Sequence, residues 1–231
     1  MAAVDKEVLD WDNVYRGESG FDGPPPWNIG EPQPELAALI EAGDITGTVL
    51  DAGCGHAEFG LTMAARGNTV VGVDLSPTAV AAARATAAER GLENITFEQG
   101  DITEFSGHDG EFDTIVDSTL FHSMPVESRE GYQRAIAAAA APGAKYVVLV
   151  FAKGAFPAEL EEKPNEVDEA ELRAVVGQHW EIDDVRPAYI HANLPNFPAD
   201  LELPKPPVMP ELDEKGRMKM PAFLLRAHKA G

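Results

Sequence analysis

Residues 49–60 read VLDAGCGHAEFG. Val49 and Leu50 run into Asp51, and Gly53 and Gly55 then permit a tight turn in which backbone can approach a ligand closely. The stretch reads as a strand whose carboxyl end opens through a glycine turn into a helix. Outward from it, β-rich runs at 48–50, 69–73, 95–98, 112–116 and 145–151 alternate with alanine-rich helical runs. The run at 77–91 has Ser76 as N-cap, Pro77 at the first helical position and Gly91 as its stop. A second, at 129–143, is expected to close on Pro142 and Gly143. Strands separated by helices imply parallel pairing with right-handed crossovers. The fold class is therefore α/β, a doubly wound Rossmann-like sheet in an α/β/α sandwich.

The glycine turn fits two kinds of cofactor. A dinucleotide asks for G-x-G-x-x-G, with its pyrophosphate on helix N-terminal amides. Here Glu58 stands at the third glycine position and Asp51 lies close to where phosphate would sit. Both charges oppose a dianion. They suit a cofactor bearing an ammonium and a sulfonium, and S-adenosylmethionine has both. Asp74 ends the next strand in VVGVDLS, about 20 residues on, placed to accept ribose hydroxyls or to cap the following helix. Asp101, in FEQGDIT, could accept from an adenine amino group while the Ile102 amide meets the ring, or could be a turn aspartate.

Composition narrows the partners. Lys plus Arg number 18 against 39 Asp plus Glu, a net charge of 18 − 39 = −21, which repels a phosphate backbone and argues against nucleic acid. Cys54 is the single cysteine, so no internal disulfide framework exists. The acidic opening lacks an apolar signal core and no run reaches the roughly 18 apolar residues of a membrane span. The expectation is a cytoplasmic protein without a membrane segment, a monomer or weak homodimer. His56, His108, His179, His191 and His228 lack ligand spacing, and no metal is expected.

Together VLDAGCG, VVGVDLS, QGDIT and FDTIVDS resemble the class I S-adenosylmethionine-dependent methyltransferases over residues 34–186 plus the last strand. The resemblance implies seven strands, mostly parallel, with the final strand (221–229) inserted antiparallel. It places Asp51, Gly53 and Gly55 around the methionine moiety, Asp74 and Leu75 at the ribose, and Asp101 and Ile102 at the adenine. The opening WDNVYRGESGFDGPPPWNIGEPQPEL is similar to that of thiopurine-, thiol- and halide-type methyltransferases, and of mycobacterial enzymes that methylate heterocyclic toxins such as hydroxyquinolones. In those enzymes the segment folds over the cofactor. Prolines lower the entropy cost of ordering it, and Trp11, Tyr15, Phe21 and Trp27 supply aromatic faces. Asn28 stands where thiol-type enzymes carry Asp.

The resulting division is a single domain over 1–231: a lid at 1–33, a cofactor core at 34–186, a proline-rich substrate-side loop at 187–218 and a final strand at 219–231. The acceptor side is expected after the fourth strand, in VDSTLFHSMP. Asp117 ends that strand near the methionine end of the cofactor, Ser118 and Thr119 can hydrogen-bond the cofactor's carboxylate or backbone, and His122 is the expected general base, with Tyr15 second, as an acceptor-orienting hydroxyl or relay. Phe121, Phe151 and Tyr189, with Trp11 and Phe21, are expected to wall a small aromatic acceptor. The expected activity is methyl transfer to O or N of a small aromatic heterocycle such as a hydroxyquinolone, with detoxification as the expected role; an S-methyltransferase of thiopurine or thiol type and a cofactor-binding protein without turnover are the alternatives.

Overall fold

The computed structural model describes residues 11–18, 25–158, 160, 163–194 and 211–231. Its centre is β1 (Val49–Ala52), every residue of which is buried. Such a strand is covered on both faces, as parallel sheets require. Around it lie β2 (Val70–Asp74), β3 (Ile95–Gln99), β4 (Phe112–Ser118), β5 (Ala140–Phe151), β6 (Glu181–Ala192) and β7 (Met218–His228). The order is β3-β2-β1-β4-β5-β7-β6, with β7 antiparallel to both β5 and β6 and the remaining pairings parallel. The expected sheet and its late antiparallel insertion are both present.

Period-two alternation divides the core. Val49, Val147 and Leu149 point into one apolar cluster with α2 (Pro34–Ala42), α3 (Glu58–Ala65) and α4 (Pro77–Glu89). Leu50, Tyr146, Val148 and Val150 point into the other, with α5 (Arg129–Ala139) and α6 (Glu169–Val176). The short α1 (Trp11–Tyr15) packs against α4. Ser76 caps α4 as expected, its Oγ accepting from Ala79 N at 3.1 Å.

Two expectations are corrected. α5 stops at Ala139 rather than at Pro142, because proline disfavours helical backbone at the residue before it and Ala140 already pairs with Phe112 at the start of β5. Residues 187–192 are not loop: β6 continues through Pro187 to Ala192, and β6 is the sheet's edge, where a proline is tolerated. Among the described residues, no helix is long and apolar enough to cross a membrane.

Candidate active site

The order places β1 beside β4, the point where the winding direction reverses and where ligands enter open α/β sheets. There the glycine turn adopts left-handed backbone at Gly53 (φ 66°), Gly55 (φ 52°) and Ala57 (φ 60°). A Cβ on Gly53 would lie 2.8 Å from Leu120, and one on Gly55 2.6 Å from the Tyr15 hydroxyl, so both glycines are required by shape as well as by φ.

Three aspartates brace this end of the sheet. Asp51 Oδ2 accepts from Gly60 N at 3.0 Å. Asp74 accepts from Gly55 N at 2.8 Å and from Ser76 N at 2.9 Å. Asp117 Oδ1 accepts from Leu120 N at 2.8 Å and Phe121 N at 3.1 Å, while its Oδ2 accepts from the Tyr132 hydroxyl at 2.8 Å. Burial pushes the Asp51 and Asp117 carboxyls up to about 7, with the neighbouring aspartates raising Asp51 further. Burial raises Asp74 too, against the amide bonds that favour its ionised form.

Over the turn lie residues 25–33 and α1, which belong to the opening segment. Tyr15, Trp27, Asn28, Glu31 and Gln33 form one wall of a cavity of about 590 Å³, counting its open mouth; Asp51, Gly53, Gly55, His56, Ser118 and Thr119 form another. Trp11 packs edge-on against Trp27 at 6.0 Å, behind that wall. Asp12 anchors α1 by accepting from Ser76 Oγ (2.6 Å) and Thr78 N (3.1 Å). Gln33 Nε2 donates to His191 O at 2.9 Å and its Oε1 accepts from His191 N at 2.7 Å, so a side-chain amide extends the sheet edge. Asn193 N donates to Pro26 O at 2.8 Å. Glu31 receives Lys215 Nζ and Arg217 NH1, each at 2.6 Å, and Arg217 also holds Asp213 at 2.7 Å.

The structure revises several expected roles. His122 is buried, and its Nδ1 accepts from Phe151 N at 3.1 Å. Burial and the Arg129 guanidinium hold its pKa down to about 3. Its ring is neutral, with the proton on Nε2 and no lone pair left to take another, so it is not placed as a general base. Asp117 is fully buried, its oxygens accept from Leu120 N, Phe121 N and the Tyr132 hydroxyl, and it is not part of the cavity lining. Phe121 is fully buried beneath the Arg129 guanidinium, 4.6 Å from its ring, and cannot wall a pocket. Phe151 packs against His122 and Phe156 in the core, away from the cavity lining. Tyr189 lies on edge strand β6 with the Lys219 ammonium 4.3 Å over its ring, also outside the lining.

Of the other expected residues, Asp101 is exposed at the end of β3 and its Oδ1 caps the next turn through Thr103 N at 2.8 Å; Ile102 is buried beside it. Leu75 is exposed at the end of β2. Phe21 and the loop residues 195–210 lie outside the described residues. Tyr15 does reach the glycine turn, where burial and Asp74 keep its hydroxyl protonated. Cys54 is inert, its thiol raised by burial and by Asp51 and Asp74.

Sequence reasoning set His56 aside, yet it lines the cavity. Asn28 Oδ1 accepts from Gly30 N at 3.3 Å, which turns its Nδ2 toward His56 Nδ1 at 3.1 Å. Burial lowers the His56 pKa, so the ring is neutral with its proton on Nε2. Its position inside the G-C-G-H turn was the available signal. Arg217, distant in sequence, gave none.

A protein-family model described as "Methyltransferase domain" matches residues 45–193. The chain is 50% identical over 221 residues to the 2-heptyl-1-hydroxyquinolin-4(1H)-one methyltransferase of Mycobacteroides abscessus, covering 95% of this chain and 96% of that one. It is similar to a protein solved in work on the conversion of a disulfide bond into a thioacetal group during echinomycin biosynthesis, at TM-score 0.80 and 33% identity, covering 96% of this chain and 92% of that one. The Burkholderia thailandensis 1,6-didemethyltoxoflavin-N1-methyltransferase, solved with S-adenosylhomocysteine, shares the fold at TM-score 0.60 and 21% identity over 86% of this chain and 77% of that one.

Proposed function

The chain belongs to the S-adenosylmethionine-dependent methyltransferases, and from that premise we propose that it methylates the heteroatom of a small aromatic heterocycle of the 1-hydroxyquinolin-4-one class. The observation that carries the acceptor class is the 50% identity to the Mycobacteroides abscessus enzyme, which spans 95% of this chain and so takes in most of the opening segment as well as the core. The net charge of −21 supports a small-molecule acceptor over nucleic acid.

The residues fit the cofactor. A glycine turn that admits no Cβ, ringed by acid side chains, suits a donor carrying two positive centres and opposes a diphosphate. Asp74 retains lone pairs beyond its two amide bonds and would receive ribose hydroxyls; Leu75, Asp101 and Ile102 would frame the adenine; Gly53 and Gly55 would lie along the methionine chain, with Trp27 and Ser118 across from them. When bound, S-adenosylmethionine supplies a methyl group on a sulfonium that is already a good leaving group.

The chain's own task is then alignment and exclusion of water. Tyr15 and Trp27 close the cavity from above, and the Tyr15 hydroxyl stays protonated, a hydrogen-bond donor. His56 presents a neutral ring whose Nδ1 is taken by Asn28. Neither His122 nor His56 has a free basic nitrogen, which favours acceptors acidic enough to arrive as anions. An N-hydroxy heterocycle is such an acceptor, and capping its oxygen would blunt its chelating and redox chemistry, a detoxifying outcome.

The test is transfer of labelled methyl to 2-heptyl-1-hydroxyquinolin-4(1H)-one, phenols, hydroquinones and thiols in parallel. Transfer to the hydroxyquinolone at the highest kcat/KM supports the reading. Bound cofactor with no transfer to it, or preference for a thiol, refutes it.

A further inference from the structure

Thr119 has φ 77°, a left-handed conformation that a β-branched residue adopts only under constraint. The constraint is visible on every side. Thr119 N donates to Leu149 O at 3.1 Å, and Thr119 O accepts from Ser123 Oγ at 2.8 Å. The next two amides, of Leu120 and Phe121, are clamped by the buried Asp117 carboxylate, which the Tyr132 hydroxyl secures from behind. Leu120 is seated on Gly53 so closely that a Cβ there would lie 2.8 Å away. A glycine at 119 would serve this turn without strain. What threonine adds is a side chain on the cavity wall, next to Ser118, and among the described residues no hydrogen bond engages its hydroxyl.

We propose that Thr119 is an acceptor-binding residue: its hydroxyl donates a hydrogen bond to the heteroatom that attacks the methyl group, and Asp117 is the positioning residue that holds the strained turn in place. Two observations favour the acceptor over the cofactor as its partner. Thr119 follows β4 and is bonded to β5, on the far side of the β1/β4 switch point from Asp74, which ends β2, and Asp101, which follows β3. The cofactor half of the crevice already holds the Asp51 and Asp74 carboxylates, whereas an anionic acceptor needs a hydrogen-bond donor. The proposal rests on the methyltransferase reading above, and its test uses whichever acceptor in the panel the wild-type enzyme methylates.

Three variants separate hydroxyl from strain. Thr119→Val keeps the shape and the strain and removes the donor: kcat/KM for the acceptor should fall about tenfold or more, with S-adenosylhomocysteine affinity held within about twofold. Thr119→Ser keeps the donor and should recover most of that loss. Thr119→Gly removes both: the same loss in kcat/KM is expected together with a Tm about 2 to 4 °C above wild type, because the left-handed strain is released. Thr119→Val at wild-type kcat/KM overturns the proposal, as does an equal loss of cofactor affinity, which would assign the hydroxyl to the cofactor. A Thr119→Gly variant that melts at or below wild type overturns the strain argument. Failure of the wild type on hydroxyquinolones, with turnover of another acceptor, sinks the acceptor class above and leaves this test intact.

Discussion

Gly60 sits inside α3, where alanine would ordinarily be the better residue by about 1 kcal/mol. Here the sign should reverse. A Cβ on Gly60 would lie 2.8 Å from Asp51 Oδ2, 3.3 Å from Ile95 Cδ1 and 3.4 Å from Val70 Cγ1. Asp51 is buried and its backbone belongs to the central strand, so the carboxylate has little room to retreat. Moving it stretches the 3.0 Å bond from Gly60 N. Loss of a hydrogen bond to a charged buried group costs about 1.5 to 3 kcal/mol, and overpacking against Ile95 and Val70 adds about 1 to 2. Set against the helical gain, Gly60→Ala should destabilise by roughly 2 to 4 kcal/mol, or about 5 to 12 °C in Tm for a chain of this size. Gly131→Ala is the internal control: it lies in α5, and its added Cβ would meet Thr103 at an ordinary 3.6 Å, so it should raise Tm by about 1 to 3 °C. Thermal melts of the two variants at pH 8 decide the matter. Both melting higher than wild type would refute the placement of Asp51 against α3.

Three further outcomes are expected. Burial lifts the Asp117 carboxyl from 3.8 to about 7, so its contribution to stability is full below pH 4 and is lost as pH rises through 7. Urea denaturation should therefore show the stability of Asp117→Asn gaining on wild type between pH 5.5 and pH 8; a gap independent of pH would contradict the raised value. His122→Asn, which can still accept from Phe151 N, should leave the shape of the kcat–pH profile unchanged from pH 6 to 8. A wild-type inflection near 6.5 that vanishes in the variant would restore His122 as base. Glu31→Gln weakens the tie to Lys215 and Arg217 and should speed S-adenosylhomocysteine release about two- to fivefold at low salt, with the difference shrinking at 1 M salt, where screening reaches about 3 Å. Equal release rates at low salt would show that this tie does not hold residues 25–33 over a bound cofactor.

The fold was legible because its signals are local. The glycine turn, the Ser76–Pro77 cap and the alternation of strand with helix each occupy a few adjacent residues, and parallel pairing follows from the right-handed crossover rule, while the antiparallel last strand was implied by the family resemblance. The aspartates along this edge of the sheet were legible for the same reason: Asp51 lies in β1, Asp74 ends β2 and Asp101 follows β3. The cavity wall that follows β4 was not. His122 and Phe121 are three residues or fewer from Thr119, yet the turn that Asp117 clamps sends them into the core and leaves Thr119 on the cavity. Side-chain direction in an irregular turn depends on dihedral angles that no periodicity encodes. Tyr189 shows a second limit, since the pairing of β6 with β7 across a long connection decides what it faces, and Arg217 shows it again by meeting Glu31, 186 positions away. The Gln33–His191 bond joins residues 158 apart.

A single design recurs at the ends of β1, β2 and β4: an aspartate whose first duty is to accept main-chain amides that shape the next turn. Bracing and electrostatics are therefore carried by the same atoms, and deleting a side chain would confound them. Asp51→Asn separates the two, because an amide oxygen can still accept from Gly60 N while the negative charge is gone. The turn should survive, with Tm close to wild type. What should change is discrimination between the sulfonium of S-adenosylmethionine and the uncharged thioether of S-adenosylhomocysteine, since only the former gains from a nearby anion. At pH 8, above the Asp51 value of about 7, calorimetry should show the affinity ratio moving toward S-adenosylhomocysteine by roughly threefold or more. At pH 6, where the wild-type carboxyl is largely protonated, the shift should diminish. A ratio that is the same in both proteins at pH 8 would mean that the acid ring serves only to fold the turns.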